Sequence, residues 1–233
     1  MNMNDTEFDT ALVAAAFAQA AETGWSGLSI VESARRADLP LDRARMRFPG
    51  PAAVLYRFGV MADAAALAEP TTEATPRERM FDLLMRRFDV LQQHREGMVA
   101  LMRVLPTQPL LAMTLGAATL RSMAWMLEAA GLPAGGLRGL VRAKTLVGVW
   151  LYALRAWKND ESADLAGTMA ALDKALDQAE RVFDLVASKT KMEVDDPLEG
   201  VVDLPPDPDE VADRMVQSNP PPPPAAEPPG SPA

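Results

Sequence analysis

The sequence of 233 residues has no cysteine and a single histidine, His94. Without thiols it forms no disulfide, no cysteine-ligated metal site and no cysteine nucleophile, and one histidine argues against a His-based metal site or Ser–His catalysis. No glycine-rich phosphate loop follows a predicted strand. The sequence therefore predicts no catalytic residues, no metal site and no cofactor. We expect a protein that is not an enzyme and that resides in a reducing cytoplasm.

Basic residues are also in short supply, since 23 Lys and Arg stand against 32 Asp and Glu, a net charge of −9. Most of the deficit lies in residues 189–233, which hold three bases, ten acids and 12 of the 20 prolines. A segment of this composition cannot bury enough apolar surface to offset the entropy lost on ordering. We predict an acidic, Pro-rich disordered tail over 189–233. In an alternative interpretation, its prolines dock to a partner protein.

Long apolar runs are rare as well. The uncharged segment Val104–Leu120 has 17 residues and contains Pro106 and Pro109. About 20 residues are needed to cross a bilayer, so we expect a buried core helix here and no membrane span. The first ten residues carry three acids and no base, which is unlike a secretion signal.

Apolar residues between Asp5 and Ser188 recur at steps of three and four, which is typical of amphipathic helices. No run of alternating β-branched residues predicts a strand, so the fold class is all-α. A polar, proline-flanked segment at 70–76 indicates a hinge, which predicts domains at 1–69 and 70–188 ahead of the tail. Two of the predicted helices begin at Ser29 and at Thr75. The others span about Phe8–Thr23, Leu41–Arg47, Pro51–Ala68, Arg95–Leu105, Leu110–Ala130, Leu137–Lys158 and Ser162–Ala187.

Positive charge is concentrated within residues 35–57, which contain six arginines and two acids. The short helices on either side of residues 37–40 have the spacing of a helix-turn-helix unit, whose second helix enters the major groove of DNA. An excess of arginine at that place predicts DNA binding. The alternative is a solvated face that keeps the helices soluble.

Individual roles follow from position on the predicted helices. Arg43 and Arg47 lie one turn apart on one side, and the planar guanidinium matches the O6 and N7 atoms of guanine, so we predict that they contact bases. Other positions are expected to contact the phosphate backbone or to complete the DNA-binding surface. These are Ser29, Arg35, Arg36, Arg45 and Arg57.

Several short segments carry a family resemblance. Gly24 follows the first helix, and the segments Leu28-Ser29-Ile30, Ala37-Asp38-Leu39-Pro40 and Arg45-Met46-Arg47-Phe48 come next. Over residues 8–67 this pattern resembles the N-terminal module of TetR-family transcriptional regulators. Pro51 stands where that family usually has a lysine that binds a phosphate.

The resemblance implies an all-α, TetR-like fold, with an N-terminal three-helix helix-turn-helix module and a larger helical domain. It implies a homodimer that binds a near-palindromic DNA operator, and a small hydrophobic ligand held in the larger domain. The implied function is that of a ligand-responsive, DNA-binding transcriptional regulator, which dimerises through its last two helices.

A second resemblance points to another function. Gly24-Trp25-Ser26, Phe48-Pro49-Gly50-Pro51 and the segment Trp157–Asp160 are similar to a TetR-fold family of lipid-binding accessory proteins of ubiquinone biosynthesis. This alternative implies the same fold and a lipid or quinone ligand, without DNA binding.

The larger domain is rich in methionine, a flexible side chain that fills irregular space. We predict Met102, Trp125 and Trp150 as walls of a hydrophobic ligand pocket, with plain core packing as the alternative. Apolar stripes on the last two helices predict either an intersubunit seam or part of the monomer core. They consist of Leu146, Trp150 and Leu154, and of Leu165, Met169, Leu172, Leu176, Ala179 and Phe183.

Overall fold

The computed structural model describes residues 3–68 and 74–194, with side chains described as far as residue 183. All regular structure in these residues is helical, which confirms the all-α class. The predicted disordered tail lies largely outside the described residues. The helices are α1 (Asp5–Thr23), α2 (Ile30–Arg36), α3 (Leu41–Arg47), α4 (Pro51–Leu67), α5 (Pro76–Gln93), α6 (Arg95–Val104), α7 (Pro109–Ala129), α8 (Gly136–Asn159) and α9 (Ala166–Val194).

Helix α1 has a defined signal at each end. The Asn4 side chain accepts a hydrogen bond from the backbone N–H of Glu7, and the Glu7 carboxylate accepts one from the N–H of Asn4. This reciprocal capping box satisfies two donors that the helix leaves free. Gly24 ends the helix, as predicted, with φ of 77° and ψ of 160°. Only glycine adopts that conformation readily.

The helix-turn-helix unit consists of α2, a turn and α3. The hydroxyl of Ser29 accepts a hydrogen bond from the backbone N–H of Glu32 and caps α2. Glu32 does not complete the predicted capping box but pairs with Arg36 one turn along. The turn contains Asp38 at a φ of 52°, a value that aspartate tolerates better than most side chains. Helix α3 spans the residues predicted for it.

Two later helices begin as the sequence indicates. Pro51 occupies the first turn of α4, where its missing N–H costs nothing. Thr75 and Glu78 form a capping box at the start of α5. Helix α9 begins at Ala166 rather than at the predicted Ser162, because Asp160 accepts hydrogen bonds from the N–H and hydroxyl of Thr168 and holds the preceding residues in a turn.

Helix α6 packs directly on α1, so the N-terminal helices and the larger helical part share one core. Gly97 permits this contact, since a Cβ placed there would lie 2.4 Å from the carbonyl oxygen of Phe17. His94, between α5 and α6, packs against the rings of Phe17 and Phe58 at 5.3 and 5.6 Å. Burial lowers the pKa of His94. Residues up to Thr190 form one compact unit, and the boundary predicted near residue 70 stays a prediction.

Helix α7 is long and apolar enough to cross a membrane by length and composition alone, and 22% of that stretch is buried in the described protein. The core positions of α7 are Met123, Met126 and Leu127, beyond the uncharged segment. No residue of 104–120 is fully buried, so the expectation of a buried core helix over that segment is wrong. The other face of α7 includes exposed Leu110 and Met113, and the exposed, charged Arg121.

The apolar stripes of the last two helices lie largely inside the monomer. Leu146 and Trp150 of α8, and Leu172 and Leu176 of α9, are all buried in the core of the single chain. Of the two alternatives that the sequence leaves open for these side chains, the monomer core is therefore the one observed.

Candidate nucleic-acid interface and ligand cleft

Helix α3 has one face in the core and the opposite face in solvent. Ala44 is buried on it, and Phe48, directly after it, anchors its C-terminal end. Asp42, Arg45 and Met46 are exposed, with Met46 at 78% of its full accessibility. Leu41, the first residue of α3, is also exposed, so the solvent-facing residues of α3 are one cation, one anion and two apolar side chains.

Arg43 and Arg47 do not lie on that outward surface. Both guanidinium groups turn back to α1 and bind Asp5, with nitrogen–oxygen distances of 2.5 Å from Arg43 and 2.7 Å from Arg47. Arg43 also lies over the ring of Phe8, 4.4 Å from its centroid, a cation–π contact. These bonds hold α3 against the first turn of α1.

Asp9 is the buried centre of this cluster. Its two carboxylate oxygens accept hydrogen bonds from Nε and Nη2 of Arg47 at 2.6 and 2.7 Å, a bidentate arrangement. Arg57 of α4 approaches the same carboxylate at 3.0 Å. Three helices therefore meet at one aspartate.

The titration behaviour agrees with this geometry. The hydrogen bond from Arg43 is the largest cause that lowers the pKa of Asp5, and the hydrogen bond to Asp9 is the largest cause that raises the pKa of Arg47. Both shifts favour the charged forms of Asp5 and Arg47. We name Asp5, Asp9, Arg43, Arg47 and Arg57 the α1–α3 clamp.

The remaining predicted DNA contacts differ in availability. Arg36 pairs with Glu22 at 2.7 Å and with Glu32 at 3.3 Å, so its charge is balanced. Arg45 donates one hydrogen bond to the carbonyl of Pro49 and has no carboxylate partner among the described residues. Arg35 is exposed on α2 and likewise pairs with no described acid.

The expectation that Arg43 and Arg47 stand free on the outer side of α3 is therefore not met. The physical reason is the pair of aspartates on α1, which outcompetes water for both guanidinium groups. Their proposed contact with bases would require these pairs to open. The arginines free for DNA in this structure are Arg35 and Arg45, with Ser29 exposed at the start of α2.

A cleft with a volume of about 370 Å³ lies between α4, α5 and α7. Its walls are mostly apolar, and Tyr56, Val60 and Trp125 are exposed at it. Arg87 of α5, a buried residue, also lines it. The volume falls within the range of small-molecule pockets, about 300–1,000 Å³.

Arg87 is held by a polar group drawn from three helices. Its Nη1 donates to the carboxylate of Asp63 and to the hydroxyl of Ser122, and that hydroxyl donates to Asp63 at 2.6 Å. The guanidinium lies over the ring of Trp150 at 4.8 Å. Burial is the largest influence on Arg87 and lowers its pKa, which Asp63 opposes.

The three predicted pocket residues are not brought together. Trp125 lines the cleft and is 61% exposed. Trp150 is buried behind Arg87 and stacks on Phe88 at 4.5 Å, so it supports the cleft from the core. Met102 packs against the core from α6 and does not line this cleft.

The sequence contains signals for three charged site residues that the sequence analysis did not select, namely Asp5, Asp9 and Arg87. Asp9 lies one helical turn before Val13 on the apolar stripe of α1, and Asp5 lies one turn before Asp9. Asp9 therefore occupies a position that faces the core. Arg87 lies three residues after buried Leu84 and four before buried Leu91, which is again a core position. A charged residue on an apolar stripe predicts a buried partner of opposite charge.

The arrangement of the helices identifies the fold class of the protein. The order of helices, with a helix-turn-helix unit packed on a larger helical part, is the fold of TetR-family transcriptional regulators, and solved structures of that family match the chain. No protein-family model matches it, and no curated protein sequence does.

Three neighbours illustrate the match. A TetR regulator from Nitrosomonas europaea superposes with a TM-score of 0.60 at 25% identity, covering 74% of this chain and 97% of its own. A TetR-family regulator from Streptomyces coelicolor gives a TM-score of 0.54 at 18% identity, covering 93% and 99%. One from Rhodococcus sp. RHA1 gives 0.53 at 17%, covering 76% and 97%. The resemblance drawn from the sequence is thus confirmed at the level of the fold.

Proposed function

We propose that the protein is a cytoplasmic, ligand-responsive transcriptional regulator of the TetR type that binds a near-palindromic operator as a homodimer. The observation that carries this proposal is the α2–α3 unit. Its second helix is anchored by Ala44 and Phe48 and presents Arg45 and Met46 outward, while Ser29 and Arg35 are exposed on the helix before it. A helix presented in this way suits the major groove.

The number of arginines without a carboxylate partner sets how strongly DNA affinity should depend on salt concentration. Of the six arginines within residues 35–57, Arg35 and Arg45 pair with no described carboxylate, which gives four such arginines in a dimer. Since each phosphate contact contributes about −0.9 to the slope of log K against log salt, we expect a slope of about −4. Were all six arginines of each subunit engaged, it would approach about −11.

Fluorescence anisotropy measures this slope directly. The titration uses the DNA upstream of the protein's own gene, at several salt concentrations, with a scrambled duplex of equal length for comparison. Arg45→Ala should lower affinity and flatten the slope by about 2, the loss of two contacts per dimer. The matched control is Arg181→Ala, an exposed arginine of α9 that should change neither. Absent or salt-independent binding would contradict the regulator proposal.

A second candidate function is compatible with the α1–α3 clamp, although the structural neighbours favour the regulator. Residues 3–68 carry six arginines and eight acids, and the clamp uses three of the arginines. A surface of that charge attracts DNA weakly. The alternative is a TetR-fold lipid- or quinone-binding accessory protein that does not bind DNA. Absence of DNA binding, together with isoprenoid lipid extracted from the purified protein, would support it.

We propose that the homodimer forms through the outer side of α8. Leu137, Leu140 and Leu151 are exposed there, as is Tyr152 beside Leu151. Gly148 lies among them with open space above it, so a second helix can approach closely. Isologous contact of two such stripes about a two-fold axis buries side chains that the monomer leaves in water.

Leu151→Glu should weaken this dimer by 100-fold or more, because a carboxylate would be desolvated in both copies of the contact. Sedimentation velocity over a range of protein concentrations reports the change. Met46→Glu, the same kind of substitution at an exposed residue of α3, is the control and should leave the dimer intact. A wild-type protein that sediments as a monomer, or a dimeric Leu151→Glu variant, would contradict this interface.

A further inference from the structure

The cleft between α4, α5 and α7 contains a buried guanidinium that its neighbours satisfy only in part. Nη1 of Arg87 serves both Asp63 and Ser122, but Nε is buried and has no hydrogen-bond partner. Nη2 donates no hydrogen bond to any described residue either. A buried donor without an acceptor costs free energy that a bound acceptor would recover.

The neighbouring polar groups decide what kind of acceptor fits. The hydroxyl of Ser122 already donates to Asp63 and accepts from Arg87, so it has no proton left to offer. The carboxylate of Asp63 balances the charge of Arg87. An anionic ligand placed at Arg87 would therefore face Asp63 at close range, whereas a neutral oxygen meets no such repulsion.

The rest of the cleft is suited to an apolar molecule. Leu55, Val60 and Leu115 line it, and Trp125 stands exposed beside them. Arg121 also lines the cleft but is exposed to water, where its charge is screened. The cavity volume of about 370 Å³ accommodates a small ligand rather than a large one.

We infer that this cleft binds a neutral, apolar small molecule carrying one hydrogen-bond acceptor oxygen, such as a ketone or an ester, and that Arg87 donates to that oxygen. The inference rests on the ligand-responsive part of the proposed function and names the chemistry of its ligand. Asp63 and Ser122 act here as positioning residues, which hold Nη1 and leave the other donors of Arg87 for the ligand.

The probes are nonan-2-one and nonanoate, which share a chain length and differ in charge. Binding is followed by intrinsic fluorescence, because Trp125 lines the cleft and Trp150 lies against Arg87. We expect nonan-2-one to bind at least tenfold more tightly than nonanoate. Equal or tighter binding of nonanoate, with its loss in Arg121→Ala, would overturn the neutral-ligand assignment.

Two variants test the site itself. Gly59→Leu places a side chain into the cleft, where a Cβ meets nothing within 4 Å, and should abolish binding without strain. Arg87→Met combined with Asp63→Asn removes the donors and the pair together and should weaken nonan-2-one binding about tenfold.

The matched control is Arg142→Met. Arg142 also has a buried Nε without a partner and lies over an aromatic ring, that of Phe183, in a different cleft. Its replacement should leave nonan-2-one binding unchanged. Full binding in Gly59→Leu would overturn the site. Because the titration contains no DNA, absence of DNA binding would reject the regulator proposal without affecting this result.

Discussion

Replacing Asp5 by asparagine should strengthen DNA binding by roughly ten- to thirtyfold at physiological salt and steepen the salt slope by about 2. The substitution removes the carboxylate that holds Arg43 and shares Arg47. Arg43 then becomes free to contact a phosphate or a base edge in each subunit. The bidentate pair of Arg47 with Asp9 remains, so α3 keeps its attachment to α1.

The cost to stability should be small, because the Asp5 side chain is 67% exposed and water and salt screen its ion pairs. A change in DNA affinity would thus reflect the released arginine rather than a loss of fold. Anisotropy titrations with the same duplex, run beside a thermal unfolding curve, separate the two effects.

Glu7→Gln is the matched control for Asp5→Asn. It removes one negative charge from the same turn of α1, but Glu7 binds the backbone of Asn4 and not an arginine, and glutamine preserves that capping box. If both variants gained DNA affinity equally, net charge alone would be responsible and the clamp would have no part in it.

Asp63→Asn should destabilise the protein by about 3–5 kcal/mol, the usual effect of leaving one member of a buried ion pair unmatched. Arg87 is almost fully buried, with only Asp63 to balance its charge among the described residues. The amide still offers an oxygen, but the cation remains uncompensated in a weakly polar environment. Urea unfolding followed by circular dichroism measures the loss.

Two companion variants make this second result decisive. The exposed Asp89 of α5 forms no ion pair with any described residue, so Asp89→Asn should change stability by no more than about 0.5 kcal/mol. The double variant Arg87→Met/Asp63→Asn removes the charge together with its partner and should recover most of the loss. A single variant as stable as the double one would contradict the role of the pair.

The sequence was sufficient for most of the fold. Local signals set the ends of the helices where side chains bond their own backbone, as at Gly24, Ser29 and Thr75. The exact span of α3 followed from Pro40 and the Pro49-Gly50-Pro51 break. The start of α9 was predicted four residues early, since the hydrogen bonds of Asp160 that delay it cannot be read from periodicity.

The candidate site was less accessible to sequence reasoning. Arg43 and Arg47 were correctly placed one turn apart on α3, but their partner Asp5 lies 38 and 42 residues away in the chain. Charge counted within residues 35–57 omits such distant carboxylates. Arg87, Asp63 and Ser122 come from three helices, and only the packing of those helices reveals that they form one polar group.

The close approach of α6 to α1 has a mechanical consequence. Because the carbonyl of Phe17 lies directly against Gly97, the two helices cannot approach each other further, and a push of α6 toward α1 is passed on to α1. Near its N-terminal end, helix α1 also carries Asp5 and Asp9, which bind arginines of α3. A rearrangement that pushes α6 toward α1 should therefore also shift α3, which mechanically couples the larger helical part to the helix-turn-helix unit.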